Sequence, residues 1–302
     1  MTDQRSNQAS EDGKFHRQSA QFRSSIGDDK YPAEKGRYIL YYSPVCPWAG
    51  RTLIFRKLKE LEGVIDTVQV SEYIGTDGWF FTGTDGSPES DPRYGFRTLK
   101  ELYHMVDPNY NLRFTVPVLF DTKTKTIVNN ESSEIIRMLN SGFSSVGGND
   151  SDLYPELLRS EIDEFNESIY HTLNNGVYKT GFAETQEAYD ENVYKIFETL
   201  DYVEEKSKGK DYVIGDILTE SDVRLFVTIA RFDVAYFTIF RCNLRMIRYE
   251  YPNIDRWYRG LYYNNPAFKE TIDFDLVKRG YSKTRFLPVP AGPIPAILPK
   301  SQ

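Results

Sequence analysis

The sequence predicts an α/β domain with a mixed sheet in its first half and an all-helical domain in its second. Three observations predict it. A β-branched and aromatic run, Gly36-Arg37-Tyr38-Ile39-Leu40-Tyr41-Tyr42, is followed by a helical pattern and then by a second strand-like run at residues 64–70. Two short apolar runs, residues 113–120 and 126–128, flank the turn Asp121-Thr122-Lys123-Thr124-Lys125 and read as an antiparallel hairpin. Beyond residue 152 no strand pair recurs, while apolar residues repeat at helical spacing.

The elements follow in order. Residues 1–30 are polar, rich in Ser, Gln, Arg and Asp, and are expected to form a flexible N-terminal extension. The α/β domain spans 31–142. Its strand, helix and second strand make a βαβ unit, which places the two strands parallel in one sheet. Residues 71–110 interrupt the pattern with Gly75, Gly78, Gly83, Gly86, Pro88, Pro92, Gly95 and Pro108, and read as a long irregular insertion carrying the apolar island Gly78-Trp79-Phe80-Phe81. Pro117 ahead of the third strand suits an edge or a cis turn. Asn129-Asn130-Glu131-Ser132-Ser133-Glu134 supplies capping residues for a helix through Ile135, Ile136, Met138 and Leu139. This order is a thioredoxin-like arrangement, in which Cys46 and the backbone before Pro117 come close in space.

Residues 143–152 read as a linker and 153–287 as an all-helical C-terminal domain. Leu157, Ile162, Phe165, Ile169 and Leu173 form one stripe, and Tyr189, Val193, Ile196, Phe197, Leu200 and Val203 another. Thr219-Glu220-Ser221-Asp222 is a capping pattern ahead of a nearly all-apolar helix, the central one of a bundle. Residues 288–302 are a Pro-rich tail that cannot be regular helix.

Composition narrows the function classes. A chain of 302 residues with 40% hydrophobic and 27% charged residues is ordinary globular material, enough for one large or two ordinary domains. A net charge of −7 implies no general affinity for nucleic acid or anionic membranes. No apolar run is long enough to span a bilayer, and no signal-peptide core stands at the N-terminus. Two Cys cannot make a disulfide framework and fit a reducing, cytoplasmic compartment. His16, His104 and His171 lack metal-ligand spacing, so no metal site is expected.

The chemistry points to Cys46. It sits between a strand and a helix, with Pro47 at the first helical position. Partial positive charge at a helix N-terminus favours the thiolate, the nucleophile of thiol–disulfide exchange. Ala49 stands where a dithiol oxidoreductase would carry its resolving Cys, so this site needs an external thiol. The alternative is that Cys46 is a small buried hydrophobe, as many free cysteines are. Cys242, among Phe240, Leu244 and Ile247, reads as structural.

The motifs extend this reading. Cys46-Pro47-Trp48-Ala49, Gly78-Trp79-Phe80-Phe81, residues 113–119, Val128-Asn129-Asn130-Glu131-Ser132-Ser133-Glu134, Asn174-Asn175-Gly176-Val177-Tyr178-Lys179, Arg231-Phe232-Asp233 and Thr271-Ile272-Asp273-Phe274-Asp275 occur in one order from about residue 35 onward. In these the chain resembles the glutathionyl-hydroquinone reductases, the Xi class of glutathione transferases, with the yeast omega-like transferases among them. The resemblance implies the glutathione transferase fold and glutathione as co-substrate. It implies that Cys46 attacks the glutathionyl sulfur of a glutathionyl-hydroquinone and forms a mixed disulfide, which a second glutathione resolves. It implies glutathione contacts at Trp79, Arg113, the backbone of Val116, Glu131 and Ser132, with Tyr178 and Tyr281 lining the hydroquinone side. A homodimer packed through the helical domains is expected by the same analogy.

The residue types suit these roles. The amide before Pro117 can pair with a peptide backbone, Glu131 with an ammonium group, Ser132 and a helix N-terminus with a carboxylate, and Arg113 with a second carboxylate. Each has a structural alternative: Trp79 as a core plug, Arg113 paired with Glu131, Glu131 and Ser132 as helix caps, the tyrosines as packing. The chain departs from the family at Gly50, where His is usual, at Ser71-Glu72-Tyr73, and at Lys278-Arg279-Gly280-Tyr281-Ser282. Two other functions compete: an omega-like thiol transferase or dehydroascorbate reductase that keeps Cys46, and a non-catalytic scaffold of the same fold.

Overall fold

A computed structural model describes residues 12–27 and 29–283. These residues divide into two compact units, one holding residues 18–152 and the other residues 12–17 together with 153–283.

The first unit is built on a sheet of order β2-β1-β3-β4. Strand β1 (Tyr38–Tyr42) runs parallel to β2 (Asp66–Gln69) and antiparallel to β3 (Val118–Asp121), which pairs antiparallel with β4 (Thr126–Asn129). The sheet is therefore mixed, as predicted. Helices α1 (Pro47–Leu58) and α3 (Ser132–Ser141) pack on each other, and the core forms where Leu40, Ile54, Phe55, Leu119, Ile135 and Ile136 lose solvent. Full burial of a side chain of this kind is worth about 1.5–3 kcal/mol. Inside this core Asp121 takes both Arg37 Nε at 2.9 Å and Arg37 Nη2 at 2.6 Å, which ties the end of β3 to the start of β1.

Four local expectations change. The strand predicted over 113–120 begins only at Val118; the Val116–Pro117 peptide is cis, and the chain before it runs outside the sheet. The insertion at 71–110 is not irregular throughout: it carries α2 (Leu99–Val106), closed by a Thr98/Glu101 capping box and burying Leu99, Leu102 and Tyr103. It is bolted to the sheet by Asp91, a buried carboxylate that accepts from Tyr41 Oη at 2.7 Å and from the backbone N–H groups of Arg93 and Tyr94. The flexible extension over 1–30 does not hold for its described residues. Phe15 and Ile26 are buried, Ser24 N donates to Val128 O at 3.0 Å, and Asn130 N donates to Phe22 O at 3.0 Å. The apolar residues lie among polar ones, so the segment averages as solvent-loving while its backbone pairs with β4 and the residue beyond. Finally, the linker is tied down: Asn140 bonds Asp152 at 2.8 Å, and Asn149 donates to Leu58 O at 2.8 Å.

The second unit is helical, with α4 (Arg159–Ile169), α5 (Gly176–Gly181), α6 (Gln186–Lys206), α7 (Glu220–Arg231), α8 (Ile247–Glu250), α9 (Pro252–Asn264), α10 (Pro266–Lys269) and α11 (Phe274–Lys283). Every residue of α7 is buried, as befits the central helix. Its capping Asp222 accepts from the N–H groups of Thr219 and Val213, from Thr219 Oγ1 and from Trp257 Nε1. Burial pushes this carboxyl up to about 6 against the pull of those donors. Leu157, assigned to the first stripe, is 97% exposed; the helix proper starts after it. The Pro-rich tail at 288–302 lies outside the described residues.

Two π-helical turns, Tyr170–Asn174 and Phe232–Tyr236, extend α4 and α7. Such turns insert a residue into the helical register and recur at functional sites. One ends just before Tyr178 and the other delivers Tyr236.

Candidate active site

In the first unit, Cys46 caps α1, with Pro47 at its first position and Cys46 O accepting from Gly50 N at 2.9 Å. The sulfur lies 3.5 Å from the carbonyl oxygen of Val116, the residue before cis-Pro117. Strand β1 delivers the thiol and the hairpin delivers the carbonyl, so neighbouring strands bring together groups far apart in sequence. Cys46 and Val116 are both nearly buried.

Glu131 and Ser132 stand at the head of α3. Glu131 Oε1 accepts from Ser133 N at 3.0 Å and from Ser133 Oγ at 2.9 Å, so the capping role is real. Ser132 is buried and receives Arg51 Nη1 at 3.5 Å. Arg51 also lies over the Trp48 ring, 4.5 Å from its centroid. The turn is held from behind by two asparagines. Asn129 Oδ1 accepts from Glu131 N at 2.7 Å, and its amide donates to Ser24 O and Glu134 Oε2. Asn130 donates to Tyr103 Oη at 3.1 Å and accepts from Phe22 N at 3.2 Å. Trp79 is buried, and its carbonyl accepts from Leu99 N at 2.9 Å, which anchors α2. Arg113 is half-buried, with its backbone N–H donated to Gln18 Oε1.

In the second unit, the structure brings Tyr178 and Tyr281 together, their hydroxyl oxygens 2.7 Å apart. Tyr236 Oη lies 3.2 Å from Tyr281 Oη and completes a group of three phenols. Tyr236 was missed by sequence reasoning. Its one signal is its place a turn beyond the Arg231-Phe232-Asp233 motif, which says nothing about direction without the π turn. Phe182 and Phe240 pack around these rings, with Phe240 5.3 Å from Tyr178 and 5.5 Å from Tyr281. Gly181 makes room: a Cβ there would lie 2.3 Å from Phe240 Cγ. Burial pushes the Tyr236 and Tyr281 phenols well above their usual range, so both remain protonated donors. Cys242 is fully buried nearby in sequence, and burial pushes its thiol up, which suits a structural residue.

Comparison with known proteins decides the family. Residues 45–141 match the family model described as glutathione S-transferase, N-terminal domain, and residues 186–260 match glutathione S-transferase, C-terminal domain. The chain is 50% identical, over 96% of itself and 96% of the relative, to glutathione S-transferase omega-like 2 of Schizosaccharomyces pombe. It is 45% identical, over 94% of itself and 92% of the relative, to glutathionyl-hydroquinone reductase PcpF of Sphingobium chlorophenolicum. The crystal structure of the glutathione S-transferase Xi from Phanerochaete chrysosporium superposes with a TM-score of 0.93 at 52% identity, covering 97% of each chain. The chain belongs to the glutathione S-transferase family, in its Xi class.

As a Xi-class transferase it carries Cys46 at the head of α1. Gly50 leaves one wall of the α1 start without a side chain, yet Gly50 N still closes the first turn on Cys46 O. Among the described residues no helix is long and apolar enough to cross a membrane.

Proposed function

We propose that this Xi-class transferase removes glutathione from glutathionyl-hydroquinones. The Cys46 thiolate attacks the glutathionyl sulfur; a sulfur–sulfur bond forms and the bond from sulfur to the ring carbon breaks. The ring carbon gains a proton and hydroquinone leaves. A second glutathione thiolate then attacks the mixed disulfide, giving oxidised glutathione and free Cys46. The two electrons gained by the ring come from two glutathione sulfurs, the thioether sulfur of the conjugate and the thiol of the second glutathione, which leave together as the disulfide, so no other reductant is needed. The observation that carries the reading is Cys46 at the head of α1, 3.5 Å from the Val116 carbonyl before a cis proline, in a chain 45% identical to a protein named glutathionyl-hydroquinone reductase.

Trp79, Arg113, the Val116 backbone, Glu131 and Ser132 are assigned to glutathione. Glu131 engages Ser133 through Oε1 and offers its carboxylate to the γ-glutamyl ammonium; Ser132 and the α3 N-terminus receive the γ-glutamyl carboxylate. Tyr178, Tyr281 and Tyr236 are assigned to the aromatic part, as donors to its oxygens. The protein is assigned to the cytoplasm and to a homodimer; a monomer by light scattering at micromolar concentration would refute the latter. Residues 31–142 and 153–287 are taken as its glutathione-binding and helical domains.

The test is time-resolved mass spectrometry of the wild type and Cys46→Ser with glutathionyl-hydroquinone. Free hydroquinone, with one glutathione on wild-type Cys46 alone, supports the reading. Unmodified Cys46 with no hydroquinone released sinks it. The omega-like name of the 50%-identical yeast relative favours one alternative, exchange with other disulfides, which the same assay detects when disulfide substrates alone are reduced.

A further inference from the structure

Arg17 is exposed, with its guanidinium laid over one ring of the phenol group. Its guanidinium carbon is 5.0 Å from the Tyr178 ring centroid and 5.2 Å from the Phe15 ring centroid. Its Nε donates to Asn175 Oδ1 at 2.7 Å, a short bond that fixes the plane of the group. Asn175 also starts α5, its carbonyl accepting from Tyr178 N and Lys179 N, so the residue that aims the guanidinium also positions the Tyr178 backbone. Phe15 is itself buried, stacked 5.6 Å from Phe182. The short segment 12–17 thus brings a cation to the rim of an aromatic cluster and keeps it there, while the rest of the arginine is exposed.

Tyr236 and Tyr281 are buried with their hydroxyls turned to the phenol group, so the cation held on the half-buried Tyr178 ring places positive charge at the exposed edge of the cluster. Of the neighbouring basic side chains of the segment, Lys14 is paired with Glu191 at 2.6 Å and His16 Nε2 lies 3.1 Å from Asp12 Oδ2. A neutral aromatic ring gains stacking there and little else. A ring carrying an ionised oxygen gains a charge-assisted hydrogen bond as well.

We propose that Arg17 determines specificity at this site by selecting aromatic ligands that carry an anionic oxygen, a phenolate or a carboxylate, over their neutral counterparts. The inference rests on assigning the three phenols to the aromatic substrate. It deepens that assignment by naming the charge state preferred.

The test is calorimetric binding of 2,6-dichloro-4-nitrophenolate and of its neutral methyl ether to the full chain, in wild type, Arg17→Gln and Arg17→Lys. Wild type is expected to favour the anion by about tenfold, the worth of one charge-assisted hydrogen bond. Arg17→Gln is expected to bring the two probes within about twofold by weakening the anion alone, and Arg17→Lys to restore part of the preference. Raising salt to about 0.5 M is expected to erode the wild-type preference, which a packing role would not do. Equal preference in wild type and Arg17→Gln, or none in wild type, overturns the proposal. Turnover of glutathionyl-hydroquinone by wild type, measured alongside, separates the two claims. Turnover without anion preference removes Arg17 alone, whereas anion preference without turnover removes the reductase reading and leaves Arg17 in place.

Discussion

The Cys46 sulfur and the Val116 carbonyl oxygen stand 3.5 Å apart, so the thiol rests on the backbone group that a β-like bound peptide would claim. In the proposed binding mode glutathione and the thiol compete for this one carbonyl, and the bound tripeptide covers the sulfur it displaces. S-hexylglutathione, which has no free thiol to exchange, is expected to slow iodoacetamide labelling of Cys46 by about tenfold or more at saturation. Cys242, fully buried, is expected to label at least about a hundredfold more slowly than Cys46 until the protein unfolds. Peptide mass spectrometry over a labelling time course measures both. Equal rates for the two thiols, or no protection by the ligand, would count against the assignment of Val116.

Asn129 makes three hydrogen bonds, two to the head of α3 at Glu131 N and Glu134 Oε2 and one to Ser24 O. Asn129→Ala removes these bonds from half-buried partners and is expected to cost about 1–3 kcal/mol in urea unfolding. Because Glu131 N is one of those partners, glutathione affinity measured by calorimetry is expected to fall as well. A variant that loses stability but binds glutathione as the wild type does would detach Glu131 and Ser132 from the ligand.

Asp121 gives the pH dependence. Burial opposes its ionisation, but the Arg37 fork, Thr124 Oγ1 and the Lys123 N–H outweigh burial and hold the carboxyl below its usual range. A depressed folded pKa contributes stability that is present above the unfolded value of about 4 and is lost as pH falls through the folded one. Asp121→Asn is expected to cost about 3 kcal/mol near neutrality, since it removes the buried one of Arg37's two counter-charges and leaves only Glu34, 3.4 Å from Arg37 Nη1. The gap between the two proteins is expected to narrow below about pH 4. Urea titrations at pH 7 and pH 3 read this directly, and a gap that widens on acidification would contradict it.

Gly181→Ala drives a Cβ into the Phe240 ring. Overpacking of this kind costs about 1–3 kcal/mol. Since Phe240 touches Tyr178, Tyr236 and Tyr281, the variant is also expected to lower turnover of aromatic conjugates more than reduction of a small disulfide. Thermal melts with the two assays side by side check it; equal losses on both substrates would show that the phenols are not where the aromatic part binds.

Much of the first unit was legible because its signals are local. The β-branched run before Cys46, Pro47 after it, the turn between β3 and β4 and the caps of α3 each follow from a few adjacent residues. The helix α2 was readable too, in the Thr98-x-x-Glu101 box and in Leu99, Leu102 and Tyr103, but glycines and prolines on either side hid it. Arg23 pairs with Asn129 through backbone groups, which carry no sequence signature, so the docking of the N-terminal segment left no trace in composition. Tyr236 and Arg17 escaped for a similar reason: one is aimed by a π turn, the other by a side-chain bond to Asn175, and neither geometry is written in residue spacing.

The helical unit borrows residues 12–17 from the far end of the chain, beyond the whole sheet. A gene cut at the 152/153 boundary would therefore not release an intact helical module. It would release one lacking Phe15 from its interior and Arg17 from its phenols, while the upstream fragment would carry those residues with nothing to receive them. A single cut at that joint therefore cannot divide this protein into two self-contained exons.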